Sequence, residues 1–225
     1  MLLPLLLAAT SSWSATHPAA MSARPNLSVA PVTGQIDAGF SDRLTQLLDA
    51  NPQLQAIEIE SPGGLATQAY KAARELNKRS IAVQVRGRCA SACAYLWASA
   101  DNRALVEGAR IGLHDGRPAR EPPRAIARWV TERNSRLAYE ALGRAGFPDE
   151  IIEQARATPP EEMLWLGAEE LLAAGVKFRI APSRWPPVKD SAPNNAFKPT
   201  PLRSTNHMAG TACHVVCSAT RCGLT

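Results

Sequence analysis

Hydrophobic positions along the middle of the chain switch repeatedly between two periods. Residues 41–50 place Leu44, Leu47 and Leu48 at helical spacing, with Ser41 or Asp42 as the N-cap. Ile57-Glu58-Ile59-Glu60 alternates with period two and predicts a strand, which Ser61-Pro62-Gly63-Gly64 ends abruptly. Residues 66–78 return to a helical pattern with Ala69, Ala72, Ala73 and Leu76 inside, and 81–85 read as a second strand before a turn at Gly87. Residues 92–99 are small and apolar throughout, the mark of a buried helix. Short strands follow at 104–106 and 111–113, on either side of Gly108.

Strand–turn–helix units in this succession predict an α/β fold with a parallel-type sheet. Beyond it, residues 122–146 carry Ile126, Trp129, Val130, Leu137 and Leu142 at core spacing along one long helix. Helices at 148–157 and 168–174, the latter closed by Gly175, and a last strand at 176–180 complete the pattern. The 225 residues, 45% of them hydrophobic, suffice for one sizeable core. The organisation expected is a signal-like segment at 1–15, a linker at 16–30, one α/β domain at 31–180 and a disordered tail at 181–225. The tail is assigned from its composition, since Pro182, Pro186, Pro187, Pro193, Pro199 and Pro201 stand among Asn, Ser and Thr.

Charge and cysteine usage narrow the function classes. The net charge of +5 comes from scattered arginines such as Arg103, Arg110, Arg117 and Arg120, and aromatics are only 5% of residues. A basic solvated surface explains this better than nucleic-acid binding, so no nucleic-acid partner is expected. The apolar start from Met1 to Ala9 and the small residues of Ser12-Trp13-Ser14-Ala15 fit export to the periplasm, with cleavage after Ala15, although no basic residue precedes the Leu run. The run is too short to span a bilayer, yet would allow weak membrane association. Cys89 and Cys93 lie inside the domain; an exported chain could pair them as a disulfide, the alternative being two small buried hydrophobes. No metal site is expected, since this pair lacks two further ligands.

Three segments could carry chemistry. Pro62-Gly63-Gly64 after a strand would leave bare N–H groups of the kind an oxyanion hole uses, or it is simply a tight turn. Gly87-Arg88-Cys89-Ala90-Ser91-Ala92 joins a strand to a small-residue helix, where Ser91 could present its hydroxyl or merely pack. Residues 109–115 end a strand on His114, a general base or an ordinary core histidine.

In this order and spacing the three segments resemble the proteolytic subunit of the Clp protease, within the crotonase superfamily. They resemble more closely the exported Clp-like serine peptidases related to signal peptide peptidase A. The resemblance runs from about residue 36 to 180. It implies a spiral of repeated β-β-α units with a long helical region after the active-site strand, no cofactor, a peptide or protein substrate and a homo-oligomer. It makes Ser91 the nucleophile and His114 the base, with N–H groups from the Gly63-Gly64 turn and Ala92 holding the oxyanion. The family's third member, an Asp, falls here on Met163, with Glu161 and Glu162 just before it as substitutes. Asp115 is next to His114, but neighbouring side chains on a strand point apart. Two other readings stay open: a catalytically silent binding or assembly module, and a crotonase-type acyl-CoA enzyme that dispenses with Ser91.

Overall fold

The turn that carries Ser91 follows a central strand that changes neighbours partway along its length. The structure, a computed structural model, describes residues 17–23, 28–116 and 124–182, with side chains omitted for 124–134. The molecule is an α/β protein built on a mixed sheet, eight-stranded among the described residues. In chain order its elements are β1 (Ala20–Met21), β2 (Val29–Thr33), α1 (Phe40–Ala50), β3 (Ala56–Ser61), α2 (Ala66–Lys78), β4 (Ala82–Ala90) and α3 (Ala92–Ser99). They continue as β5 (Arg103–Val106), β6 (Arg110–Leu113), α4 (Arg124–Ala145), α5 (Asp149–Ala157), β7 (Leu164–Leu166), α6 (Ala168–Ala173) and β8 (Arg179–Ala181).

Strands β2, β3, β4, β5 and β8 run parallel in that order, with β1 antiparallel on the outer edge of β2. Strand β4 is shared. Its first half, Val83–Val85, pairs with β5, and its second half, Arg88–Ala90, pairs in parallel with β6. Strand β7 then adds antiparallel to β6.

The change of partner happens at Gly87. Between the pairs Ile59–Val85 and Ser61–Cys89, β3 advances two residues while β4 advances four. Gly87 takes φ +70° inside this irregularity, and a Cβ there would run into the Glu60 carboxylate. A bulge of this kind bends its strand and re-aims the residues beyond it. The turn expected at Gly87 is therefore a bulge within one nine-residue strand.

One face of the sheet is apolar. Ile57, Ile59, Val83 and Val85 are buried in the same core as Leu44 and Leu48 of α1, Leu76 of α2 and most of α3. Helix α3 is buried on nearly all sides, from Ala92 through Ala98. The Trp97 indole N–H donates to the Ala104 carbonyl at 3.0 Å, and its ring meets Phe147 edge-on. The three buried alanines of α2, Ala69, Ala72 and Ala73, let α3 lie close against it. The other face of β3 and β4 carries charge: Glu58 is buried 3.6 Å from Arg86, which also lies 3.9 Å from Glu60.

Several expectations are corrected. Residues 17–23 and 28–30, read as linker, build β1 and the start of β2, and Ala19 is buried, because their backbone groups bond the adjoining strand and turn. Gly39, not Ser41 or Asp42, caps α1; the Ser41 hydroxyl instead donates to Gln68 Oε1 at 2.7 Å, tying α1 to α2. Leu137 is exposed, and Ala138, Tyr139, Ala141, Leu142 and Ala145 are the buried positions among the described side chains of α4. Ala181 belongs to β8 and is buried, so the domain extends past residue 180. The signal-like segment and the tail from 183 lie outside the described residues, as do the side chains of Ile126, Trp129 and Val130.

Burial raises the Glu58 carboxyl above its ordinary value of 4.5, and the nearby Arg86 charge offsets this only in part. Neither carboxylate oxygen has a hydrogen-bond partner among the described residues. A carboxyl raised by folding binds its proton more tightly in the folded chain. Its contribution is therefore fully present below the unfolded value and lost as pH rises through the folded one. Glu58→Gln is expected to lose less Tm than the wild type as pH rises above the carboxyl's ordinary value of 4.5, in thermal melts across a pH series.

Candidate active site

Parallel strands in adjacent register deliver Ser91 and His114 to the same end of the sheet. Ala90 pairs with Gly112, Ser91 follows the one, and His114 stands two residues after the other. Neighbouring strands lie about 4.8 Å apart. The Ser91 N–H donates to the Gly112 carbonyl at 2.9 Å, stitching the turn to β6. The carboxyl ends of parallel strands are where α/β sheets present their ligand-binding groups.

Ser91 itself has φ +53° and ψ −121°, and it is the residue from which α3 starts. Glycine adopts this backbone geometry readily, whereas residues with a Cβ do so at a cost of about 1–3 kcal/mol. A strand that turns directly into a helix through a strained serine lifts the hydroxyl clear of the backbone. The first N–H groups of α3, beginning with that of Ala92, point along the helix axis without intrahelical acceptors.

Gly63 presses on this turn. A Cβ added there would lie 2.5 Å from the Ala90 carbonyl oxygen, 2.9 Å from Ser91 Cβ and 3.0 Å from the Ala92 nitrogen. The Gly63 N–H donates to the buried Ser61 hydroxyl at 3.1 Å, which fixes the bend after β3. Gly64 is held by a parallel bridge to Ile36, in which Ile36 donates to the Gly63 carbonyl and Leu65 donates to the Ile36 carbonyl. The bridge uses groups on either side of Gly64 and leaves the Gly64 N–H outside it. The positive φ values of Gly63 and Gly64, +95° and +137°, make both positions glycine-specific.

His114 is oriented by backbone. Its Nδ1 lies 2.6 Å from the Asp115 carbonyl oxygen, which can only accept, so Nδ1 carries the hydrogen and the neutral ring keeps its lone pair on Nε2. The Asp115 N–H donates to the Thr158 carbonyl at 2.8 Å, and the Tyr95 hydroxyl of α3 donates to the His114 carbonyl at 3.1 Å. The Asp115 carboxylate accepts from the Tyr139 hydroxyl at 3.0 Å, and the Arg156 guanidinium stacks on the Tyr139 ring. Burial, reinforced by the Asp115 charge, pushes the Tyr95 hydroxyl up to about 12, and burial likewise raises that of Tyr139, so both remain donors.

Glu161 and Glu162 are exposed, in the turn after Pro159, and the Nδ1 site assigned to one of them is taken by the Asp115 carbonyl. Antiparallel pairing sets Leu113 against Leu164, and one step further in the same register sets His114 against Met163. Met163 and Trp165 lie over Gly112, where a Cβ would meet Met163 Sδ and the Trp165 ring at 2.8 Å. A thioether therefore stands beside the strand end where a carboxylate was sought.

Cys89 and Cys93 form a disulfide that spans Ser91. Sequence reading missed Tyr95, Tyr139, Thr158 and the Asp115 carbonyl. The two tyrosines carried no motif, and a backbone acceptor leaves no trace in residue type. Among the described residues no cluster of His, Cys, Asp and Glu could hold a metal ion. No protein-family model matches the chain, and no curated protein matches it.

Gly63→Ala is expected to lower the melting temperature by several degrees, about 1–3 kcal/mol, because the added methyl meets backbone on both sides of Ser91. Circular dichroism melts check this, with Gly143→Ala, where a Cβ meets nothing within 4 Å, as the control.

Proposed function

We infer that the protein is a serine-type hydrolase of the Clp-protease-like, crotonase-type fold, cleaving peptide bonds through an acyl-enzyme. The observation that carries this reading is the strained Ser91 backbone at a strand-to-helix turn beside the end of the His114 strand. That strain has no role in packing a small helix, whereas it is the geometry that exposes a nucleophile.

In the proposed reaction the Ser91 Oγ attacks the scissile carbonyl carbon while the His114 Nε2 takes its proton. The resulting oxyanion lies against the N–H groups of Gly64 and Ala92, with Gly63 shaping the turn that presents the first of them. Collapse breaks the C–N bond, and the imidazolium returns its proton to the leaving amine. Water then gives a proton to the imidazole and attacks the acyl carbon; the bond from that carbon to Ser91 Oγ breaks, the imidazolium returns its proton to Oγ, and the acid is released.

A peptide or protein substrate, a periplasmic location and a homo-oligomeric state belong to the same proposal. The disulfide supports an oxidising compartment. Exposed Leu172 and Ile180, each more than half accessible, support association with a second copy. Among the described residues no helix is long and apolar enough to cross a membrane. A second reading, a silent binding module of the same fold, is favoured by Met163 standing where the resemblance calls for an acid.

A fluorophosphonate probe separates the two. The wild type is expected to label on Ser91, Ser91→Ala not at all, and His114→Ala at least about a thousandfold more slowly. A folded wild type that does not label, by mass spectrometry of the Ser91 peptide, supports the silent module. Tyr95→Phe, which removes the hydroxyl bonded to the His114 carbonyl, is expected to slow labelling by about two- to tenfold in the same assay.

A further inference from the structure

We propose that the Cys89–Cys93 disulfide is a positioning element for Ser91: a fixed clamp, closed during folding, that holds the nucleophile turn in its left-handed backbone conformation. The kinetic consequence rests on the hydrolase reading above, while the structural one stands without it.

The bond encloses only Ala90, Ser91 and Ala92, the three residues through which β4 becomes α3. Cys89 is anchored on both sides, paired with Ser61 of β3 and Ile111 of β6. Cys93 is the second residue of a helix buried on nearly every side. A link between two immobile anchors fixes the short segment between them. Within that segment Ser91 sits at positive φ, which it would leave if either end could yield. The contacts of Gly63 and the Ser91–Gly112 hydrogen bond hold the turn from the sides, but neither ties strand to helix covalently.

Burial decides between a clamp and a switch. Both sulfur-bearing residues are fully buried, at 0% exposure. Reduction needs a thiolate to reach one sulfur; two electrons and two protons then convert the bond to two thiols while a dithiol becomes a disulfide. The folded core denies that approach, so the bond is a constitutive part of the folded chain.

The test uses the purified full-length chain. Under native conditions dithiothreitol is expected to leave the disulfide intact by mass spectrometry and the labelling rate unchanged. Ready reduction with loss of labelling would overturn the fixed clamp. Cys89→Ala/Cys93→Ala is expected to label Ser91 about 10–100-fold more slowly, chiefly through the maximal labelling rate and with the half-saturating probe concentration moving less than about twofold. Labelling at the wild-type rate would overturn the proposal. Should that variant not fold, Cys93→Ser alone is read in the same way.

A stability cycle is independent of catalysis. Removing the disulfide lets Ser91 relax, which offsets part of the loss, whereas glycine has no such strain to release. The Tm drop on losing both cysteines is therefore expected to be a few degrees larger in a Ser91→Gly background than in the wild type. Equal drops would overturn the clamp. If the wild type does not label, the hydrolase reading fails and this cycle still decides the structural claim.

Discussion

The backbone at Ser91 is the constraint around which the site is arranged. An L-residue at φ +53° and ψ −121° is unfavourable on its own and persists only where its surroundings leave no alternative. Here three neighbours enforce it: the Gly63 backbone pressed against Ala90 and Ala92, the Gly112 carbonyl bonded to the Ser91 N–H, and the disulfide across the turn. Each depends on an event further back in the chain. Gly112 is within reach because β4 leaves β5 for β6, and β4 leaves because of the bulge at Gly87. Gly63 is within reach because Ser61 accepts its N–H and Ile36 fastens Gly64.

The two faces of the sheet use different physics. The helix-covered face is held by apolar burial, at roughly 25 cal/mol for each Å² removed from water, and this packing makes α3 immobile enough to anchor a strained turn. The Glu58–Arg86–Glu60 face adds little net stability, since taking charges out of water offsets most of their attraction. Its contact with the site is local: the Glu60 carboxylate lies beside Gly87, and the φ of +70° at that position is what selects glycine.

Most of the fold was legible where periodicity was strong and local. Helix α2 and helix α3 fall where their patterns place them, because alanine stripes and an all-apolar run have few alternative readings. The first strand was read as linker because Ser, Ala and Pro dominate its composition, while pairing with β2 is a long-range property that composition does not report. The bulge at Gly87 looked like a turn because a lone glycine marks both, and only the register of β3 against β4 separates them. Within the candidate site, the strand–turn–helix grammar pointed to Ser91, His114 and the two glycines. The orienting group of His114 was invisible, because it is a main-chain carbonyl that every residue possesses.

That carbonyl bears on how the site would work. An orienter of the imidazole has two tasks, to select the tautomer with Nε2 unprotonated and to stabilise the imidazolium that forms when the nucleophile loses its proton. The Asp115 carbonyl does the first as well as a carboxylate would, since it accepts at 2.6 Å and cannot donate. It does the second less well, because a dipole stabilises a neighbouring cation less than a full negative charge does. The Asp115 carboxylate accepts from the Tyr139 hydroxyl, so it is the main-chain carbonyl of this residue that meets the imidazole. A site assembled in this way favours correct geometry over transition-state charge stabilisation. Such a hydrolase would turn over more slowly than a full triad, and the rigidity of the Ser91 turn would set a larger share of its rate.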